Sequence, residues 1–162
     1  MDDRSPVSGP FQLSYTMKFF IVAAALGIAT PAFLQGTYSL YYDTTYDQGD
    51  KSLNTVTCST GEHGLLTRGY KTFGDLPTSP FIGGAPQIQG WNSPNCGTCW
   101  ELTYTDPNGI PGSLSFTAIN TAAQGTFTIS IEAMNRLTSG NAMTLDGVSI
   151  TATQLSASQC GL

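Results

Sequence analysis

The chain has 162 residues, enough for one domain with a continuous apolar core and too few to require a second. Only 10% of the residues are charged against an ordinary 40% apolar, and 18 Gly with 9 Pro favour many short strands joined by turns over helices. The net charge of −5 leaves no basic face to neutralise phosphates, which argues against nucleic acid and anionic membrane surfaces and leaves neutral partners such as polysaccharides open.

At the N-terminus Lys18 precedes an apolar run over residues 19–26, extended through Gly27, Ile28 and Ala29 and followed by Thr30, Pro31 and Ala32. Charged, apolar and small-residue regions in that order predict a secretory signal peptide, cleaved after Ala32 or Gly36. The run is shorter than the roughly 20 residues a bilayer span requires, so no membrane span is expected. Residues 1–16 carry Asp2, Asp3 and Arg4 and fit no part of a signal, so they are expected to be an upstream extension, with Met17 as the start. The expected organisation is therefore 1–16 extension, 17–36 signal peptide and 37–162 a single domain. Four Lys/Arg and nine Asp/Glu follow Gly36, so the acidity belongs to the domain itself.

Within that domain, residues 37–42 alternate Tyr38, Leu40 and Tyr42 with Thr37, Ser39 and Tyr41, the period of a half-exposed strand. Residues 43–51 are turn-rich, and residues 53–58 alternate again, predicting a second strand with Leu53, Thr55 and Thr57 on one face and Asn54, Val56 and Cys58 on the other. Residues 61–95 are rich in Gly and Pro but also carry Phe73, Leu76, Phe81, Ile82, Ile88 and Trp91, which predicts long ordered loops rather than disorder. The clearest hairpin follows: Trp100, Leu102 and Tyr104 alternate before Asp106-Pro107-Asn108-Gly109, and Leu114, Phe116 and Ala118 alternate after it. Pro sets φ and Gly accepts a positive one, so the tetrapeptide presets a turn. Residues 130–137 predict the clearest helix, with Ser130 as N-cap, Ile131, Met134 and Leu137 on one side and Gly140 as the stop. Residues 148–155 predict the last strand. Strands at this spacing, with no internal repeat, point to a closed barrel or a sandwich.

Cys58, Cys96, Cys99 and Cys160 all lie beyond the expected leader, and an even number in an oxidising compartment predicts two disulfides among three possible connectivities. Cys96-Gly97-Thr98-Cys99 has the spacing of a redox motif or half a zinc site. It runs directly into a strand, however, without the helix N-terminus that lowers a thiol pKa, and Cys58, Cys160 and His63 do not form a second close ligand pair. Each thiol is expected to bond a distant cysteine, and neither metal nor cofactor is expected. His63, the only histidine, sits between Gly61-Glu62 and Gly64 with no identifiable nucleophile, and is expected to be a turn residue rather than a general base. Asn120-Thr121-Ala122 is expected to end a strand in a polar corner, with Asn there for its tolerance of left-handed backbone angles. Glycoside hydrolysis needs two carboxyls across the scissile bond, and Asp43, Asp47, Glu62, Asp75, Glu101 and Asp106 stand near predicted strand ends without any pair announcing itself. Tyr38, Tyr41, Tyr42, Tyr46, Trp91 and Trp100 could stack on sugar rings, although Trp100, beside a half-cystine on an alternating strand, is expected in the core.

Three blocks carry a family resemblance: Tyr42-Asp43-Thr44-Thr45-Tyr46-Asp47, then Cys58-Ser59-Thr60-Gly61-Glu62-His63-Gly64-Leu65, then Gly90-Trp91-Asn92-Ser93-Pro94-Asn95-Cys96-Gly97-Thr98-Cys99-Trp100. Together with the closing Ser158-Gln159-Cys160-Gly161-Leu162, they resemble the cerato-platanins over residues 38–162. The resemblance implies an all-β fold with short helices, a six-stranded double-psi β-barrel like those of barwin and the first domain of expansins. It implies disulfides Cys58–Cys96 and Cys99–Cys160. It further implies a secreted, extracellular protein of the fungal cell wall that binds chitin or other β-linked oligosaccharides without catalysis and elicits plant defence, with a plant surface receptor as a further partner. The carbohydrate site it implies is Tyr42, Asp43 and Asn120. The family's usual aspartate is Asn here, and the usual Gly-Phe-Asn appears as Thr126-Phe127-Thr128. An Asn cannot ionise but still hydrogen bonds to hydroxyls. The competing expectations are a wall-loosening protein or weak β-1,4-glucan hydrolase working through a pair such as Asp43 and Glu62, and a surface-active coat protein that self-assembles.

Overall fold

Where side chains alternate and the chain then turns sharply, strands form: β1 (Gln35–Tyr42), β3 (Cys99–Thr105), β4 (Pro111–Thr121) and β6 (Val148–Leu155) match the expected ones, and β2 (Ile82–Ala85) and β5 (Thr126–Ile129) join them. The computed structural model describes residues 35–145 and 147–162. The expected extension and most of the expected signal peptide lie outside those residues. The last two positions of that leader, Gln35 and Gly36, are in β1, opposite Thr153 and Ala152 of β6.

The six strands close into a barrel in the order β1-β5-β2-β4-β3-β6. Two of the pairings, β1 with β5 and β2 with β4, are parallel and the other four are antiparallel. The β3–β4 hairpin is the longest regular ladder, running from Cys99 opposite Thr117 to Thr105 opposite Pro111. Its turn closes where the Asp106 carbonyl accepts from Gly109 N–H at 2.9 Å. The Asp106 carboxylate also accepts from Asn108 N–H and Ile110 N–H at 2.9 and 2.8 Å, an Asx-type arrangement.

Inside the barrel Phe127 of β5 makes edge-to-face contacts with three rings: Tyr38 at 5.0 Å, Trp100 at 5.4 Å and Phe116 at 5.9 Å. Trp100, Phe116 and Phe127 are fully buried, and edge-to-face pairs contribute about 0.5–1.5 kcal/mol each beyond the burial of area. The helix α1 (Ile131–Thr138) follows β5 as expected. Ser130 Oγ accepts from Ala133 N–H at 3.1 Å, Ala133, Met134 and Leu137 are buried, and Ser139 and Gly140 end it with positive φ. A second part of the same core, Leu53, Val56, Leu65, Phe73 and Leu76, lies under the irregular chain between β1 and β2.

Two expectations about secondary structure are corrected. Residues 53–58 form no strand: Leu53–Thr55 is a 3-10 turn. Ser52 Oγ accepts from Asn54 N–H at 3.2 Å and Thr55 Oγ1 donates to Ser52 O at 2.7 Å, so local side-chain bonds displace the ladder. Leu53 and Val56, three apart, both go inward, as side chains do on a 3-10 turn. The second correction is β2, hidden within the supposed loop at 61–95. Its Gly83 approaches β5 so closely that a Cβ there would lie 2.0 Å from Thr128 O, so the residue that weakens strand propensity is the one that allows this strand to pair. The two disulfides are Cys58–Cys96 and Cys99–Cys160, the pairing the resemblance implies.

Candidate functional site

Asn120 is the penultimate residue of β4, in extended rather than left-handed backbone; the left-handed asparagine is Asn92, at φ 58°. Its side chain is held at every polar atom. Oδ1 accepts from Thr57 N–H at 3.1 Å, from Thr57 Oγ1 at 2.6 Å and from Thr121 N–H at 3.0 Å. Nδ2 donates to the Tyr46 hydroxyl at 3.1 Å. Two backbone N–H groups can only donate, so they decide which end of the amide faces Thr57 and which faces Tyr46. Thr121 Oγ1 donates in turn to Thr57 Oγ1 at 3.2 Å, completing a cluster of neutral hydroxyl and amide groups at the strand end.

Asp43 is brought to this cluster through Tyr46. It follows the last residue of β1, accepts from Thr45 N–H at 2.8 Å and caps the 3-10 turn Thr44–Asp47 that delivers Tyr46 beneath Asn120. Burial pushes the Tyr46 phenol above its ordinary value, the Asn120 amide pulls it partly back, and the Asp43 charge adds to the rise. The phenol therefore stays protonated. Because its oxygen accepts from Asn120, its own hydrogen is directed away from Asn120. A carboxylate at position 120 would take that hydrogen; the amide does not.

Tyr42 sits elsewhere. It is half-buried and lines a hollow of about 400 Å³ with Tyr41, Met143, Leu145 and Gly147, a lining that includes neither Asn120 nor Tyr46. Of the three candidate carbohydrate residues, the fold thus links Asp43 and Asn120 through Tyr46 and places Tyr42 apart from them, in a hollow they do not line. Of the aromatic residues, Trp100 and Tyr46 are core, Tyr38 is half-buried with its hydroxyl accepting from Gln87 Nε2 at 3.2 Å, and Tyr41 and Trp91 are exposed. Thr57 is the member of the cluster that pattern reading missed. The alternation of residues 53–58 puts it on a strand face, and only its contact with Asn120, 63 positions away, gives it a role.

Acid–base chemistry finds little support in the same geometry. Asp75 and Asp106 are held below the usual carboxylate range by backbone N–H groups, of Thr72 and Lys71 in one case and Ile110 foremost in the other, opposite to what a general acid requires. Asp43 is committed to its turn and Glu62 is exposed in the loop that Asn92 fastens. His63 donates its backbone N–H to Asn92 Oδ1 at 2.9 Å. Among the described residues no group of three or more His, Cys, Asp or Glu is arranged to hold a metal ion, and no helix is long and apolar enough to cross a membrane.

Comparison with known proteins agrees with this fold. The family model described as Cerato-platanin matches residues 38–162. The heat-stable 19 kDa antigen of Coccidioides immitis is 40% identical over 153 residues, covering 90% of this chain and 99% of that protein. The crystal structure of cerato-platanin 2 from M. perniciosa is 42% identical with a TM-score of 0.74, over 78% of this chain and 100% of that one. The solution structure of the fungal elicitor Cerato-Platanin is 34% identical with a TM-score of 0.62, over 75% of this chain and 95% of that one. A barrel of this topology, both disulfides and a match across nearly the whole described chain place the protein in the cerato-platanin family.

Proposed function

We propose that the protein is a secreted, noncatalytic binder of neutral β-linked oligosaccharides, chitin fragments foremost, acting in the fungal cell wall and as an elicitor recognised at the plant surface. The observation that carries this reading is the Thr57–Asn120–Thr121–Tyr46 cluster. It holds neutral donors and acceptors in fixed directions at a strand end where Thr121 is exposed and Thr57 and Asn120 are half-buried, beside the carboxylate of Asp43. Sugar hydroxyls are matched by such groups, and prior fixation of the side chains lowers the entropy cost of binding. Membership in a family that includes a protein described as a fungal elicitor supports the biological half of the reading. Titration with N-acetylglucosamine oligomers, followed by amide shifts, tests it. Shifts centred on Thr57, Asn120 and Thr121 are expected; none at millimolar ligand overturns the proposal.

A second reading, a surface-active coat, has its own observation. Ile110 and Met143, 65% and 80% exposed, and Tyr41 line two hollows that share Thr144 and Leu145. Clustered exposed apolar side chains favour adsorption at interfaces. Film formation by the glycan-free protein, reduced in an Ile110→Ser, Met143→Ser double variant, is the expected outcome. Unchanged film formation by that variant removes the basis for this second reading.

A further inference from the structure

Trp91 is 65% exposed, and unlike Tyr41, Ile110 and Met143 it lines neither of the hollows just described. Its orientation is nonetheless fixed, because the indole Nε1–H donates to Thr60 Oγ1 at 3.1 Å. The two loops that carry these residues are fastened together next to this bond. Asn92, in left-handed backbone, accepts from His63 N–H at 2.9 Å, and Gly61 comes so close that a Cβ would lie 2.5 Å from Asn92 Oδ1. The Cys58–Cys96 bridge joins the same two segments. An exposed indole held this way has spent its only polar atom on the protein and presents its ring.

We propose that Trp91 is a stacking platform for a pyranose ring of the same neutral β-linked oligosaccharide; the inference rests on the glycan-binding reading above. The apolar face of a β-linked pyranose covers an indole ring while its equatorial hydroxyls stay at the rim. Here polar residues adjoin the ring, Thr60 exposed and bonded to the indole and Asn92 half-exposed as its chain neighbour. Trp91 stands between Gly90 and Asn92 in sequence, so neither neighbour adds a large apolar side chain of the kind that surrounds an aromatic anchor in a protein interface. The distance also fits one ligand. Thr57, in the Asn120 cluster, is three residues from Thr60, and three residues of chain span at most about 10 Å. The platform and the polar corner are thus within reach of one short oligosaccharide, the corner fixing hydroxyls and the indole fixing a ring.

The two tryptophans make the test direct. Trp100 is fully buried, so acrylamide quenching of fluorescence reports on Trp91. Full-length N-acetylglucosamine hexamer is titrated into the wild type, Trp91→Ala, Trp91→Phe and Asn120→Ala proteins, with affinity measured by calorimetry. The hexamer is expected to reduce quenching of the wild type at least about twofold. Trp91→Ala is expected to weaken binding about tenfold, and Trp91→Phe to recover most of that loss. Wild-type affinity in Trp91→Ala, with quenching unchanged by ligand, overturns the platform while leaving the glycan reading intact. Absence of binding by the wild type overturns both. Shielding of Trp91 that grows with protein concentration and no glycan assigns the indole to self-association and overturns the platform.

Discussion

The β3–β4 hairpin and the irregular chain between β1 and β2 lie in the same barrel domain and are held by different means. In the hairpin, backbone pairs with backbone from Cys99 to Thr105, and side chains only choose a face. Between β1 and β2, long-range order comes from particular side chains and isolated backbone contacts. Asn120 takes Thr57, Asn92 takes His63, Cys58 binds Cys96, and Leu53 N–H and Phe73 N–H bond across to Lys71 O and Lys51 O at 2.9 Å each. A ladder keeps its backbone bonds when one side chain changes to anything but proline. The irregular segment loses a whole anchor, and both residues proposed to meet the ligand, Asn120 and Trp91, are held by bonds to that segment, to Thr57 and Thr60.

The largest expected effect is therefore removal of the Cys58–Cys96 bridge, which ties the irregular region to the chain between β2 and β3 across a sequence separation of 38. Chain entropy assigns it about 4 kcal/mol, so a Cys58→Ala, Cys96→Ala variant should melt well below the wild type. A melt unchanged by that substitution would show that the irregular segment holds itself without the bridge. Next is Gly83→Ala, where the new Cβ meets Thr128 O. A loss of about 3 kcal/mol in denaturant titration is expected, with β2 and β5 amides losing hydrogen-exchange protection first. Asn120→Ala strands the half-buried Thr57 N–H and should cost about 2 kcal/mol, measurable in the same titration, and should also release the Thr57 hydroxyl. A cost near zero would mean that water replaces the amide and that the cluster is less fixed than its hydrogen bonds imply.

The smallest effect compares one carboxylate from each region. Asp75 in the irregular segment and Asp106 in the hairpin turn are both lowered from 3.8 by backbone N–H donors. A lowered native value means that the stabilisation is present above the unfolded value and is lost as the pH falls through the native one. Asp75→Asn and Asp106→Asn should each be less stable than the wild type at neutral pH, and each difference should close in acid below about pH 4. Both groups are exposed, so the differences are small. A deficit for Asp75→Asn that persists in acid would place its contribution in shape rather than charge.

What the sequence determined by itself is everything governed by near neighbours. Alternation in residues 37–42, 100–104, 114–118 and 148–155 specifies strands because a pleat repeats every two residues. Asp106-Pro107-Asn108-Gly109 specifies the turn through its own φ values and Asp106 bonds, and Ser130 with Gly140 brackets the helix. The charge balance, the cysteine count and the family blocks were equally legible. Tertiary structure decided the rest. Gly83 makes a strand only because β5 comes against it, and the alternation of residues 53–58 yields to the local Ser52 bonds and to burial of Leu53 and Val56 together. Tyr46, one of the aromatics that could stack on a sugar, is held in the core, with its ring 6.1 Å from that of Phe73. Tyr42 and Asp43 are consecutive in the chain, yet a strand end turns them to different neighbours. Asn120 acquires its fixed amide from Thr57 and Tyr46, residues 63 and 74 positions away, and no periodicity in a sequence encodes a contact of that range.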